Sequence, residues 1–234
     1  SLVGSEMCIR DSNAMEIEQK RWDSIAKPLH SLGKLETLLI QIAGITGNAE
    51  VDLSRRGLIA MCADNGVVEE GVTQTGQEVT AIVAENFLKY DTSVGVMCKQ
   101  NHAEIFPVDM GMVTDTKVRT DHKIAYGTQN MTKGPAMTRE QAVKGLEAGI
   151  DMVRELNDKG YRILATGEMG IGNTTTSSAV ASVLLKQPVE EMTGRGAGLT
   201  SEGLVRKINA IKKAIALNLS LIHISEPTRL QLIS

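Results

Sequence analysis

The stretch TGEMGIGNTTTSSA (residues 166–179) follows the apolar run Ile163-Leu164-Ala165 and leads into a helical pattern. Its three glycines, one acidic residue and run of hydroxyl side chains predict a loop between a strand and a helix. Two other short apolar runs, residues 57–63 and 105–109, also end in turns that place an acidic residue near a glycine. Strands of this kind that alternate with amphipathic helices predict an α/β fold with a parallel, Rossmann-like sheet and helices on both faces.

The clearest helical pattern covers residues 138–156. Thr138 is the expected N-cap of this helix, and Gln141 is its capping-box partner. We expect one apolar face of the helix to pack on the core. The side chains of that face are Ala142, Leu146, Ile150 and Val153. Residues 78–88 and 200–217 are also predicted to be helices from their apolar spacing.

Four segments are predicted along the chain. Residues 1–14 are predicted to be a foreign or tag-like segment, because residues 1–12 lack any periodicity and Asn13-Ala14 resembles a tag remnant. Residues 219–234 interrupt an amphipathic helix, and both this tail and residues 1–12 resemble translated adapter DNA. The alternative for both ends is that they are natural termini. Residues 15–48 contain helical patterns broken by proline and glycine, and we expect them to form part of a small, incomplete helical domain. Residues 49–218 are the predicted α/β domain.

Composition excludes several classes of partner. The 234 residues carry a net charge of −3 with both signs mixed, and only 3% are aromatic, which argues against binding to nucleic acid. No apolar run approaches the roughly 20 residues that a membrane span needs. Three widely spaced cysteines indicate a reduced, cytoplasmic protein. The four histidines are scattered without metal-ligand spacing, so no metal is expected.

The glycine-rich stretch predicts an anion site. In an open parallel sheet, ligands bind beyond the carboxyl ends of the strands, where free backbone N–H groups at a helix start favour a phosphate. Gly167, Gly170 and Gly172 give the spacing G-x-x-G-x-G, which differs from the dinucleotide fingerprint, and no P-loop lysine follows. The residues alone therefore favour a phosphate or sugar-phosphate site. A plain strand-to-helix turn with an N-cap remains the alternative.

A second glycine-rich loop, residues 193–199, adds two candidate cations. Arg195 has the geometry to bind phosphate oxygens in a bidentate way. Lys207, on the helix that follows, could reach back as a point charge, although most lysines on a helix surface are only solvated.

Five motifs together resemble the nicotinate-nucleotide–dimethylbenzimidazole phosphoribosyltransferase family. The motifs are KPLHSLGKLE (27–36), CADNGVVEEGVTQTGQEVT (62–80), GTQNMTKGPAMT (127–138), TGEMGIGNTTTSSA (166–179) and TGRGAGL (193–199). The resemblance implies an enzyme that moves the 5-phosphoribosyl group of nicotinate mononucleotide onto 5,6-dimethylbenzimidazole or a related aromatic base. The products are α-ribazole 5′-phosphate, for the lower ligand of cobalamin, and nicotinate. It also implies a nucleotide-binding catalytic α/β domain, a homodimer when the chain is complete, and no cofactor.

The resemblance also implies roles for individual residues. It places Gly170, Gly172, Asn173 and Thr174 around the nucleotide. It assigns Gly196 and Lys207 to the phosphate. Gln77 is expected to line the pocket for the aromatic base.

Glu168 matches an active-site glutamate of that family. The family's principal general base is a glutamate in the C-terminal portion, which this sequence does not include, so we expect the chain as given to be impaired. Three roles for Glu168 remain open: an acid that orients the substrate, a substitute base, or a brace for the loop. A non-catalytic ribonucleotide-binding module is the alternative function.

Overall fold

The computed structural model describes residues 11–225 of the chain, with side chains to residue 219. Of the two predicted foreign ends, residues 1–10 and 226–234 lie outside the described residues. The described chain divides into two compact units, one ending at Arg55 and the other beginning at Arg56. The sequence placed this boundary between residues 48 and 49.

The N-terminal unit contains two packed helices, α1 (Ser12–Ser24) and α2 (Lys34–Thr46). Asp11 caps α1, because its carboxylate accepts the backbone N–H groups of Asn13 and Ala14 at 3.0 and 3.1 Å. Between the helices, the buried carboxylate of Glu36 meets the ammonium of Lys27 at 2.9 Å. This contact with Lys27 lowers the pKa of Glu36 and ties the connecting segment to α2.

The second unit is built on a parallel sheet of three strands in the described part of the chain. The strands are β1 (Arg56–Ala63), β2 (Ala103–Gly111) and β3 (Ile163–Met169), in the order β2-β1-β3. In this register Leu58 of the central strand faces Ile105 on one side and Ala165 on the other. All three predicted strands are therefore present, and their carboxyl ends meet at one edge of the sheet.

Helices cover both faces of this sheet. Side chains of β1 alternate between the faces, as the two-residue period of a strand requires. Ala60 and Cys62 pack against α3 (Glu78–Leu88), whereas Ile59 packs against α5 (Arg139–Asp158). The predicted α/β fold with helices on both faces of a parallel sheet is thus confirmed.

The predicted core face of α5 is wrong. The capping box of Thr138 and Gln141 is present, but Leu146 is 72% exposed and Ile150 is 50% exposed. Ala148, Met152 and Leu156 are buried instead. The apolar arc of α5 is wider than the surface that the sheet offers. Periodicity identified the arc, but Met152 and Leu156 are the side chains of α5 that share a core cluster with Ile59 and Val108 of the sheet.

The remaining elements of the second unit lie between and after the three strands. A 3₁₀ helix (Gly66–Glu70) follows β1, and α4 (Ser93–Gln100) precedes β2. After β3 come α6 (Asn173–Leu185), α7 (Val189–Met192) and α8 (Ser201–Ser225). The sequence missed the short helices.

Helix α8 was predicted to end at residue 217 and instead continues to Ser225. No glycine or proline lies between residue 217 and Pro227 to interrupt it. Buried side chains from α6 and α8 pack with those that follow β1, as in the cluster of Val67, Ala179 and Ile211. None of the described helices is long and apolar enough to cross a bilayer.

An ion pair ties the end of α5 to the segment after β2. The carboxylate of Glu155 meets the guanidinium of Arg119 at 2.6 Å and the ammonium of Lys159 at 2.5 Å. Arg119 and then Lys159 hold the pKa of Glu155 at about 2. Because the folded pKa lies below the unfolded value, the pair stabilises the fold above about pH 4 and loses this effect as the pH falls towards 2.

Glu155→Gln should lower the free energy of unfolding by about 0.5–1 kcal/mol at pH 7, since the pair is partly exposed. The difference from the wild type should shrink at pH 3. Urea unfolding at the two pH values measures both effects. The matched control is Asp151→Asn, which removes an exposed partner of Arg154 on the same helix. The control should change stability by less than about 0.5 kcal/mol, and equal losses in both variants would contradict the assigned role.

Candidate functional site

The loop between β3 and α6 rests directly on the end of β1. A Cβ atom at Gly170 would lie 2.1 Å from the carbonyl oxygen of Ala63, so only glycine permits this approach. Gly172 has a φ of 91°, a left-handed conformation that favours glycine, and it immediately precedes the first residue of α6. The predicted glycines therefore hold the loop close to the sheet edge, and the start of α6 faces the same edge.

The two peptide groups that join Ile171 to these glycines are each held by a side chain. The N–H of Ile171 donates to the hydroxyl of Thr80 at 3.0 Å, and its carbonyl accepts from the side-chain amide of Asn65 at 3.2 Å. Asn65 also accepts from the hydroxyl of Thr176 at 3.3 Å. Sequence analysis did not identify Asn65 or Thr80. The one signal was the position of Asn65 in the turn that ends β1.

Glu168 lies at the exposed carboxyl end of β3. Its carboxylate accepts a hydrogen bond from the side-chain NH₂ group of Asn173. The side-chain oxygen of Asn173 in turn accepts the backbone N–H of Thr174 at 2.6 Å. Asn173 thus links the predicted catalytic carboxylate to the first turn of α6. Glu168 stands beside the cavity described below, between Met169 and Gly167, and is not one of the lining residues.

Lys207 places a buried cation at this edge. Its side chain comes from α8, and the residue is 1% exposed. The ammonium donates to the hydroxyl of Thr174 at 2.8 Å and to the carbonyl of Gly194 at 3.0 Å. Among the ion pairs of the described residues, none involves Lys207, and burial lowers the pKa of this lysine. A buried charge without a counter-charge is costly, so this arrangement favours an anion.

Gly196 leaves the space above this ammonium open. Its φ is 58°, and a Cβ at this position would lie 3.0 Å from the Thr174 hydroxyl and 3.5 Å from the Lys207 ammonium. The second glycine-rich loop therefore contributes space next to the charge. A side chain here would occupy the position that an anion bound to Lys207 and Thr174 needs.

Arg195 and Gln77 make contacts of a different kind. The guanidinium of Arg195 donates to the carbonyl of Leu199 at 2.7 Å and to the hydroxyl of Ser201 at 3.1 Å. These two hydrogen bonds stabilise the loop that carries Arg195. The residue also lines the cavity described below. The amide of Gln77 donates to the backbone carbonyl of Asn65 at 3.1 Å. Neither contact reaches the ammonium of Lys207.

These segments enclose a cavity of about 430 Å³, which is within the size range of small-molecule sites. Three segments and one helix line it. They are residues 72–75, residues 169–174, residues 195–197 with Leu199, and Lys207 from α8. Gln74 and the carbonyl of Gly198 meet at 2.5 Å and join two of the segments at the rim. The cavity thus has a cationic end at Lys207 and an apolar wall at Met169 and Ile171.

Two other chemistries find little support in the described residues. No three His, Cys, Asp or Glu side chains of residues 11–219 converge as metal ligands do. Cys62 is buried on β1, and burial together with the nearby carboxylate of Asp109 raises the pKa of its thiol to about 12. Such a thiol is almost entirely protonated at neutral pH and is a poor nucleophile.

Comparisons with known proteins agree with the motifs. Residues 9–232 match the model of a family described as "Phosphoribosyltransferase". The chain is 50% identical over 206 residues to the nicotinate-nucleotide–dimethylbenzimidazole phosphoribosyltransferase of Ruminiclostridium cellulolyticum, with 87% of this chain and 58% of that protein covered. It is also 50% identical over 210 residues to the protein of the same name from Clostridium acetobutylicum, with 89% and 60% covered.

The fold agrees as well. The crystal structure of CobT from Thermus thermophilus superposes with a TM-score of 0.80 at 34% identity, covering 92% of this chain and 64% of that one. The chain spans about three fifths of the length of the curated relatives named above. Because the family model matches nearly all of it, this chain belongs to the nicotinate-nucleotide–dimethylbenzimidazole phosphoribosyltransferase family.

Proposed function

We propose that this protein transfers the 5-phosphoribosyl group of nicotinate mononucleotide to 5,6-dimethylbenzimidazole. The products would be α-ribazole 5′-phosphate, for the lower ligand of cobalamin, and nicotinate. Membership of the family supports the reaction, and the names of the relatives give the two substrates. The observation that carries the proposal is the buried ammonium of Lys207, which faces a glycine-lined cavity without a carboxylate partner among the described residues.

The cavity suggests how the nucleotide binds. Its phosphate would accept hydrogen bonds from Lys207 and Thr174 in the space that Gly196 leaves open. The ribose would then lie along Gly170, Gly172 and Asn173, which puts C1′ near the end of β3. Fixing the phosphate and the sugar holds C1′ in one orientation towards an incoming base, and positioning of this kind lowers the barrier of a displacement.

The chemistry at C1′ needs only modest assistance. The pyridinium of nicotinate mononucleotide is cationic, so it departs as neutral pyridine nitrogen when the bond from C1′ breaks. A benzimidazole nitrogen attacks the opposite face of C1′, which inverts β to α. The other nitrogen of the benzimidazole loses its proton to a base within hydrogen-bond reach. In this scheme Glu168 is a catalytic residue that orients the substrate next to C1′, while Arg195 braces the loop that carries Gly196.

Three further features belong to the proposal. We place Gln77 on the side of the aromatic base, where its contact with Asn65 keeps it next to the loop. We propose that the complete protein is a homodimer in the cytoplasm. It would need no cofactor, because the leaving group of the substrate already carries the charge that drives its departure.

A direct assay tests the function against a non-catalytic nucleotide-binding module. The full gene product is incubated with nicotinate mononucleotide and dimethylbenzimidazole, and the products are separated by HPLC. Nicotinate and ribazole phosphate should appear in equal amounts. Tight binding of the nucleotide without either product would show that the protein is only a binding module. The matched control omits dimethylbenzimidazole and should release little nicotinate.

Lys207→Met should raise the KM for the nucleotide by about 10- to 100-fold, because a charge-assisted bond to phosphate is lost. The KM for the base should change much less. Lys212→Met, on the same helix, removes an exposed lysine that pairs with Glu190 and is the matched control. Steady-state kinetics with each substrate varied in turn measures the difference. Equal changes in the two KM values would contradict a phosphate role.

The buried ammonium also predicts a pH dependence. Burial lowers the pKa of Lys207, so the unfolded chain binds more protons than the folded one between the two pKa values. Between the lowered pKa of folded Lys207 and the unfolded value of 10.5, the stability of the ligand-free protein should therefore rise with pH. Over the same pH range the affinity for inorganic phosphate should fall, because the ammonium loses its charge. Thermal melts with and without phosphate measure both trends. Lys207→Met should abolish both, and a variant that keeps them would contradict the assignment.

Glu168→Gln separates the three roles of Glu168. If Glu168 is the general base, the variant should lose about 10²- to 10⁴-fold in kcat, and the acidic limb of its pH–rate profile should disappear. A residue that orients the substrate by charge would lose about tenfold, with little change in nucleotide binding, which is the result we expect. If Glu168 only braces the loop, kcat should not change, because the side-chain oxygen of glutamine still accepts the hydrogen bond from Asn173. Glu168→Ala, which removes the acceptor as well, is the control for that last case.

A further inference from the structure

We propose that Asn65 and Thr80 are positioning residues that hold the two peptide groups on either side of Ile171 in one orientation. These contacts fix Asn173, and through Asn173 the carboxylate of Glu168. Their catalytic consequence rests on the proposed function, whereas their structural consequence does not. Neither residue lines the cavity, so each would act through the loop and not on a substrate.

The two peptide groups that flank Ile171 are each held by a side chain that is distant in sequence. The hydroxyl of Thr80 accepts the N–H of Ile171 at 3.0 Å from 91 residues away. The amide of Asn65 donates to its carbonyl at 3.2 Å from 106 residues away. Thr80 is fully buried, so loss of its hydroxyl would leave the N–H of Ile171 without a replacement acceptor from the protein.

These peptide groups need this support because of their neighbours. Ile171 stands between Gly170 and Gly172, whose backbones have more freedom to rotate than those of other residues. The packing of Gly170 on Ala63 fixes where the loop lies, but contact with a carbonyl oxygen does not fix which way the next peptide points. The two side-chain hydrogen bonds supply that missing constraint.

The orientation of these peptide groups affects the position of Glu168 through Asn173. Asn173 is two residues beyond Ile171, and its N–H donates to the carbonyl of Gly170 at 3.0 Å. Its side chain donates to Glu168. Asn65 adds a second link, since it accepts from Thr176 in the first turn of α6. The carbonyl of Gly170 and the N–H that Thr80 accepts belong to the same peptide, so a rotation of that peptide would move Asn173 and release the carboxylate from its fixed position.

The test compares three variants of the full chain. Thr80→Val removes the hydroxyl at nearly constant volume, and Thr80→Ser restores it. Thr132→Val is the matched control, because Thr132 is 2% exposed and its hydroxyl bonds Glu70 and Asn130, away from this loop. Asn65→Asp serves as a second probe at a partly exposed position. It replaces the donor to Ile171 by a carboxylate oxygen while it keeps an acceptor for Thr176.

Two measurements are made on each variant. Hydrogen–deuterium exchange of the peptide containing residues 168–174 reports on the loop without any need for turnover. We expect Thr80→Val and Asn65→Asp to exchange about tenfold faster there, the factor expected for one lost hydrogen bond. We expect kcat to fall by about three- to tenfold, no more than the loss expected for Glu168→Gln, with the KM for the nucleotide changed by less than about threefold, since misplaced groups slow chemistry more than binding. Thr80→Ser should recover most of both effects.

The outcomes separate the two proposals. If the wild type gives no product, the proposed function fails, and the exchange data alone decide the inference on Asn65 and Thr80. Unchanged exchange in both Thr80→Val and Asn65→Asp would overturn it. So would a Thr132→Val variant that accelerates exchange in the same peptide to the same extent, because the effect would then reflect general destabilisation. Faster exchange with kcat unchanged would also overturn the positioning role.

Discussion

The site depends on a lysine ammonium that is buried without a carboxylate partner among the described residues. Lys207 is almost completely inaccessible, and its two hydrogen bonds go to a neutral hydroxyl and a backbone carbonyl. A protein gains nothing in stability from such a charge, because the desolvation of the ammonium is only partly compensated by neutral partners. An anionic ligand, such as the phosphate proposed above, would supply the missing partner. The charge interaction with such a ligand would offset the desolvation of Lys207, and this would strengthen its binding.

The parallel sheet explains why all parts of the site meet. The carboxyl ends of β1 and β3 lie side by side, so the loop after β3 can rest on the last residue of β1. Helix α6 begins at that point and presents its first hydroxyl, Thr174, to the ammonium that α8 contributes. Each contact requires a small residue at the crossing point, which is why glycine occurs at positions 170 and 196. Close packing alone is therefore sufficient to explain these two glycines, whether or not the loops bind a ligand.

The sequence was sufficient for those features that are local. The three strands, the capping box of α5 and the loop glycines follow from two-residue and helical periods and from turn chemistry, which act over a few residues. The exposed face of α5 was assigned to the core because periodicity shows which side chains share a face, not which neighbour covers it. Asn65 and Thr80 were missed for a related reason. Their partner lies 106 and 91 residues away, and no local pattern records such a contact.

Arg195 and Lys207 are the two cations that the sequence offered for a phosphate, and the structure gives them different contacts. Arginine was the stronger candidate for phosphate because its planar fork matches two oxygens at once. The same fork suits a loop that must be held in shape, and Arg195 uses it to bind Leu199 and Ser201. Lysine offers a compact charge that needs no fixed approach direction. Lys207 lies behind Gly196 on helix α8. In the proposed phosphate site, the loop would supply the geometry and the lysine would supply the charge.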